Sequence, residues 1–209
     1  MTTSTLNRIT PADVHATLAR HILADGFDFV MDFEKSHGSW VHDARTGREH
    51  LDFLTFFGSN PIGYNHPKMK DPEFQQTLLR VALLKPSLSD VYSVEYAQFV
   101  DTFARVLTRP WLKYAFFIEG GALANENAMK VAFDWKVRRN MAKGIPGEKG
   151  SQIIHFREAF HGRSGYTLSV TNTDPKKTDY FPKFPWPRIE NPKLRFPVTP
   201  EVERDVIAA

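Results

Sequence analysis

An α/β fold is predicted by three features of the middle of the chain. A short apolar run, Tyr114 to Ile118, has the length and aromatic content of a strand buried on both faces. Gly120 and Gly121 turn it directly into a segment with helical character. A second short apolar run, Gln152 to Phe156, follows that helix. The order strand, helix, strand predicts a parallel sheet joined by a right-handed crossover.

The elements before this unit follow from local signals. Thr10 is placed to cap a helix opening at Pro11, with Val14, Leu18, His21 and Ile22 as its apolar stripe and Gly26 as its close. Phe27 to Phe33 alternates partially and predicts a strand. Residues 40–43 and 50–53 flank a turn at Gly47 and predict a hairpin. Phe56 to Pro67, rich in Gly, Pro and Asn, reads as a loop, and its aromatic and amide content also suits a pocket wall. Asp71, Pro72 and Glu73 open a helix running to about Leu84. Ser93 opens another, with Ala97, Phe99, Val100, Phe103 and Val106 expected to face inward.

In the central helix Ala124, Ala128 and Ala132 recur every four residues and predict a small-residue face against the sheet. The strand, Gly-Gly turn and helix start aim backbone N–H groups and the positive end of the helix dipole at one place, which suits a phosphate. A tight turn with purely structural glycines fits the same spacing. Glu158 to Tyr166 leaves the second strand at its C-terminal end, where open α/β sheets collect ligands. Both stretches are therefore expected to open on one crevice, with Phe160, His161 and Arg163 available to stack on, hydrogen-bond to and pair with a ligand. Thr171 to Pro197 is a long Pro- and aromatic-rich segment expected to be functional, at a subunit interface, or a surface wrap. Thr199 and Pro200 open a last helix. No C-cap signal follows it, and the chain is expected to be interrupted at Ala209.

Composition narrows the function classes. The chain has 209 residues and a net charge of +3, too mild to argue for nucleic acid, and the cluster Lys136 to Arg139 reads as a solvated helix end. Absence of cysteine removes thiol nucleophiles and Cys-ligated zinc, and suits a cytoplasmic setting. No apolar run approaches a membrane span, and Met1 to Arg8 leads to no signal-peptide core. No metal site is expected.

From about residue 28 onward, these residues resemble the class III, or ω-amino, aminotransferases, pyridoxal-phosphate enzymes of fold type I. The resemblance rests on Gly63, Tyr64, Asn65, His66 and Pro67, on Gly121, Ala122, Ala124 and Glu126, and on Phe160 to Arg163. Within the family, the run Glu119 to Ala124, residues 132–136, 159–167 and 181–184 are most similar to the lysine ε-aminotransferases; Asn125 to Ala128 is similar to the 4-aminobutyrate aminotransferases. The resemblance implies an N-terminal helix and small-sheet segment over residues 1–60 and the first part of the large pyridoxal-phosphate-binding α/β domain over 61–209. It implies pyridoxal 5'-phosphate as cofactor, L-lysine and 2-oxoglutarate as substrates, and a homodimer. Backbone amides of Gly121 and Ala122 would hold the phosphate, Phe160 would stack on the pyridine ring, His161 would sit beside it, Arg163 would pair with a substrate carboxylate, and Ser59 and Asn60 would line the substrate pocket. Many relatives carry a hydroxyl residue where Gly120 stands, so that phosphate contact is not expected here. No lysine matches the Schiff-base position, no catalytic residue is assigned in these 209 residues, and the chain by itself is expected to be inactive. A 4-aminobutyrate or other ω-amino acid specificity, a non-catalytic phosphate-binding module and a nucleic-acid binder using the basic helix end are the alternatives.

Overall fold

A computed structural model of the chain describes residues 9–84 and 90–208; Met1 to Arg8 lies outside the described residues. The chain forms two compact units, one ending at Arg109 and the other beginning at Pro110.

In the first unit, Pro11–Asp13 forms a 3-10 turn leading into helix α1 (Val14–Ala19). The Asp13 carboxylate accepts the Thr10 amide and hydroxyl, at 3.2 and 2.5 Å. The helix stops well short of Gly26. Leu18 and Ile22, expected in its apolar stripe, are exposed, so no burial rewards another turn. The predicted hairpin forms as β1 (Trp40–His42) and antiparallel β2 (Glu49–Leu51), with Val41 opposite His50. Phe27 to Phe33 runs beside it without becoming a strand; its one bridge joins Met31 to Asp43. Two backbone bonds tie it to the hairpin, Asp32 amide to His42 carbonyl at 2.9 Å and Ala44 amide to Val30 carbonyl at 2.7 Å, and side-chain carboxylates take neighbouring amides. Asp43 takes the Val30 amide at 2.9 Å, and Asp32 takes the Glu34 and Lys35 amides at 2.9 and 3.1 Å. Asp43 also accepts the Thr46 hydroxyl and the Arg45 amide. The Thr46 hydroxyl, then the Val30 amide, hold its carboxyl well below the usual range.

The predicted loop after the hairpin contains a single turn, α2 (Thr55–Gly58), whose Thr55, Phe56 and Phe57 have left-handed φ of 48, 46 and 56°. Left-handed L-residues cost about 1–2 kcal/mol each, so this turn needs local supports. Asp52 accepts the Leu54 and Thr55 amides, both at 2.8 Å, and the Tyr64 hydroxyl at 2.6 Å. Burial, with the Asp52 carboxylate accepting its proton, pushes the Tyr64 hydroxyl up to about 12. Helices α3 (Pro72–Ala82) and α4 (Val94–Leu107) start at their predicted caps. The Asp71 carboxylate accepts the Phe74 amide and the Ser93 hydroxyl accepts the Tyr96 amide. No residue of α4 is buried; Phe99 and Val106, expected inward, are exposed.

The second unit is built on helix α5 (Gly121–Ala142). Tyr114 to Ile118 belongs to neither sheet, and Tyr114 and Phe116 are 94% and 71% exposed, against the expectation of a buried central strand. The parallel pair is instead β3 (His155–Phe156) with β4 (Arg188–Ile189), so the partner of β3 comes from the Pro-rich segment downstream. The face of α5 that packs is also different. Ala124, Ala128 and Ala132 are exposed, whereas Ala122, Glu126, Met129 and Phe133 turn inward. Met129, Val170 and Trp186 form the core, with Phe133, Ile153 and Tyr166 against it. Trp186 stacks on Phe184 with ring centroids 5.1 Å apart and meets Phe133 edge-on at 5.5 Å. The segment expected to be an interface loop or surface wrap thus supplies core aromatics and a strand. Helices α6 (Gly165–Ser169), α7 (Pro175–Thr178) and α8 (Pro200–Ala208) complete the unit, and Thr199 caps the last as predicted, its hydroxyl accepting the Val202 amide.

Candidate functional site

The site is assembled at the N-terminus of α5. Gly120 is its N-cap with φ of 80°, a conformation that favours glycine, and no side chain caps this end. The first intrahelical bond runs from the Ala124 amide to the Gly120 carbonyl, 3.1 Å. The amides of Gly121, Ala122 and Leu123 precede it and have no acceptor within the helix. No acidic side chain lies in the first turn to answer the dipole. A Cβ placed on Gly120 or Gly121 meets nothing within 4 Å, so there is room beside this turn. Uncapped donors, a positive dipole end and room beside them fit a phosphate group.

The loop from Phe160 to Arg163 lies against this helix end. Gly162, at φ of 124°, is so close that a Cβ on it would stand 2.5 Å from Ala122 Cβ and 2.9 Å from Thr167 Oγ1. Two residues of α5 grip the loop on either side of Arg163. The Asn125 side-chain amide donates to the His161 carbonyl at 2.9 Å. One oxygen of Glu126 accepts both the Ser164 hydroxyl and the Thr167 amide, each at 2.9 Å. From the other side, the Thr171 hydroxyl accepts the His161 amide at 2.9 Å and donates to the Gly162 carbonyl at 2.7 Å. Asn172 closes the base of the loop by exchanging hydrogen bonds with Ala159 at 2.8 and 3.0 Å. The Phe160 ring is 60% exposed and Arg163 is exposed, with no ion pair or hydrogen bond among the described residues, so both are available to a ligand.

The structure therefore brings Gly121, Ala122, Phe160, His161 and Arg163 to one end of α5. Ser59 and Asn60 belong to the first unit, where the Ser59 hydroxyl donates to the Phe56 carbonyl at 2.7 Å and the Asn60 amide to the Thr55 carbonyl at 3.1 Å. Asn125, Glu126, Thr171 and Asn172 were not singled out by their chemistry in the sequence. Two adjacent polar residues interrupting the packing face of α5 are the only local sign of them.

Behind the site, His155 is buried. Arg188 Nε donates to its Nε2 at 2.9 Å and its Nδ1 lies 3.3 Å from the Ile153 carbonyl, which together describe a neutral ring protonated at Nδ1. Burial first, and the Arg188 charge with it, hold this imidazole below its ordinary value. The basic end of α5 is engaged within the helix: Arg138 pairs with Asp134 at 2.8 Å and Arg139 lies over the Trp135 ring at 5.0 Å. Among the described residues there is no cluster of side chains suited to a metal ion, and no helix is long and apolar enough to cross a membrane.

Comparison with known proteins places this geometry in context. Residues 23–208 match the family described as Aminotransferase class-III. The L-lysine-epsilon aminotransferase of Mycobacterium tuberculosis is 57% identical over 187 residues, which cover 89% of this chain and 42% of that protein. The corresponding protein of Amycolatopsis lactamdurans is 51% identical over 192 residues, 91% of this chain and 42% of its own length. The solved structure of lysine aminotransferase from M. tuberculosis superposes with a TM-score of 0.86 at 53% identity, covering 96% of this chain and 46% of that one. An omega-transaminase from Thermomicrobium roseum, 23% identical with a TM-score of 0.70, shares the fold. The chain thus spans less than half the length of the relatives it matches.

Proposed function

This chain belongs to the class-III aminotransferases and has their fold type I architecture, and from that premise we propose that it carries part of the active site of a lysine ε-aminotransferase. The proposed reaction moves the ε-amino group of L-lysine to 2-oxoglutarate, giving α-aminoadipate semialdehyde and glutamate. Identity favours lysine as the donor. Relatives named for lysine are 50–57% identical to this chain, whereas a probable 4-aminobutyrate aminotransferase of Caenorhabditis elegans is 32% identical.

The cofactor is pyridoxal 5'-phosphate, which when bound supplies the carbonyl that receives the amino group and a conjugated ring that takes up electron density. The residues present fit it. The amides of Gly121 and Ala122, at the dipole end of α5, would hold its phosphate. Phe160 would stack on its pyridine ring, and His161 would sit beside that ring. Arg163 pairs with a substrate carboxylate, since a guanidinium offers two parallel N–H donors to two oxygens. Both substrates carry a carboxylate remote from the reacting carbon, C1 of lysine and C5 of 2-oxoglutarate, which gives such a cation a partner in each half-reaction. The enzyme works as a homodimer in the cytoplasm, a setting that suits a chain without cysteine.

The observation that carries this reading is the seating of Gly162 on Ala122, which ties the aromatic ring and the guanidinium to the helix end that can hold a phosphate. The test is a competition of amine donors. The holoenzyme is supplied with 2-oxoglutarate and either L-lysine or 4-aminobutyrate, and glutamate is measured. Lysine should exceed 4-aminobutyrate in kcat/KM by on the order of 100-fold. Equal or faster turnover of 4-aminobutyrate overturns the donor assignment.

A further inference from the structure

We infer that Glu126 is a positioning residue for substrate recognition: through Ser164 and Thr167 it fixes Arg163 in register with the phosphate-binding end of the same helix. The inference rests on the role proposed for Arg163 and goes beyond it.

Glu126 lies one turn after Ala122 and in line with Met129 and Phe133, on the face of α5 that packs against the rest of the unit. A carboxylate in such a stripe is costly unless hydrogen-bonded, and among the described residues Glu126 is bonded to the segment beyond Arg163. Ser164 begins α6 and Thr167 lies in its first turn. The start of α6 closes on itself, Thr167 Oγ1 accepting the Ser164 amide at 3.1 Å and lying 2.9 Å from the Ser164 hydroxyl oxygen. Glu126 is bonded to this closed turn from outside, accepting the Ser164 hydroxyl and the Thr167 amide at 2.9 Å each, so the start of α6 is fastened as a unit to α5. Upstream, Asn125 holds the His161 carbonyl. Arg163 is left as the exposed residue between two anchors one position apart on α5. The carboxylate-binding cation and the phosphate-binding amides are thus referred to one rigid element, which sets the distance a substrate must span between them.

Both bonds end on Oε1 of Glu126. An amide oxygen accepts both in the same geometry, though more weakly than a carboxylate, and the role inferred here requires position rather than charge. This separates Glu126→Gln from Glu126→Ala.

The experiment measures binding of glutarate, a dicarboxylate with no reacting group, to the holoenzyme by calorimetry, alongside KM and kcat for lysine and 2-oxoglutarate and the affinity for pyridoxal phosphate. Glu126→Ala should weaken glutarate binding and raise both KM values about tenfold, with kcat and cofactor affinity within about twofold, as expected when a charge-assisted hydrogen bond is misplaced. Glu126→Gln should stay within about twofold of the parent in all of them. Exchange of the Thr167 amide with solvent should accelerate in Glu126→Ala and not in Glu126→Gln. If Glu126→Ala does not fold, Ser164→Ala removes one of the two bonds and should weaken glutarate about threefold; unchanged binding there overturns the inference. Glutarate affinity unaffected by Glu126→Ala but lost in Arg163→Gln overturns the positioning role and leaves the role of Arg163 standing. Affinity unaffected by Arg163→Gln overturns both. A Glu126→Gln variant as impaired as Glu126→Ala shows that charge matters and also overturns it.

Discussion

Gly162 is seated against Ala122 so closely that a methyl group on it would overlap the alanine, 2.5 Å from Cβ to Cβ. The contact is backbone against a short side chain, so neither partner can swing away. Gly162 also has φ of 124°, which L-residues rarely adopt. Gly162→Ala therefore meets two obstacles at once, overpacking and backbone strain. It should cost about 2–4 kcal/mol in urea unfolding and weaken cofactor binding by displacing the loop from the helix end. A variant as stable as the parent would show that the loop does not sit where it is described.

Arg163 tests the substrate side of the same loop. Lysine at this position keeps the positive charge but loses the planar fork. Arg163→Lys should raise KM for lysine and for 2-oxoglutarate together, by about tenfold, because each offers a carboxylate to the same group. A rise for only one of them would assign Arg163 to that half-reaction alone.

The contrast between what the sequence revealed and what it concealed follows interaction range. Asp71, Ser93 and Thr199 were identifiable as helix starts because capping is settled by a side chain and an amide three residues on. The hairpin turn around Gly47 is equally local. The loop after Glu158 was expected beside the Gly-Gly turn from a shared edge of a predicted sheet; the contact of Gly162 with Ala122 forms, although Tyr114 to Ile118 joins neither sheet. The packing face of α5 was not readable. Alanine periodicity pointed to Ala124 and Ala128, but the aromatic cluster supplied by Phe184 and Trp186 from far downstream draws Met129 and Phe133 inward instead. The bonds of Asn125 and Glu126 reach 36–41 residues along the chain, and no local pattern marks such partners. The strand expected from Tyr114 to Ile118 misled for a related reason: apolar composition signals a need for burial, while a ladder requires a neighbour that no described element provides.

His155 gives the second unit a pH dependence of predictable sign. Burial lowers its pKa in the folded chain, so below about pH 6.5 the unfolded chain takes up the proton first. Stability is fully present above that pH and declines as pH falls toward the folded value. His155→Gln removes the titrating group. Urea midpoints measured from pH 8 to pH 5, within the usual window around an ordinary histidine, should fall less steeply in the variant than in the parent. Parallel slopes would assign the acid sensitivity to other groups.

Trp186 is the test of whether the Pro-rich segment is core or covering. It stacks on Phe184, meets Phe133 and Tyr166 at 5.5 and 5.8 Å, and is buried beside Met129 and Val170. Through Phe133 it touches α5 and through Tyr166 it touches α6, the two helices that Glu126 joins. Truncation to alanine removes a large apolar surface and leaves a cavity that stacked rings cannot easily fill, which costs about 3–5 kcal/mol. Trp186→Phe keeps an aromatic plate and should recover more than half of that loss. Urea unfolding followed by far-ultraviolet circular dichroism reads both variants. A covering segment would tolerate either substitution within about 0.5 kcal/mol. A core residue orders them parent, phenylalanine, alanine, and the alanine variant should also bind the cofactor more weakly, because the helix end and the loop lose the packing that holds them together.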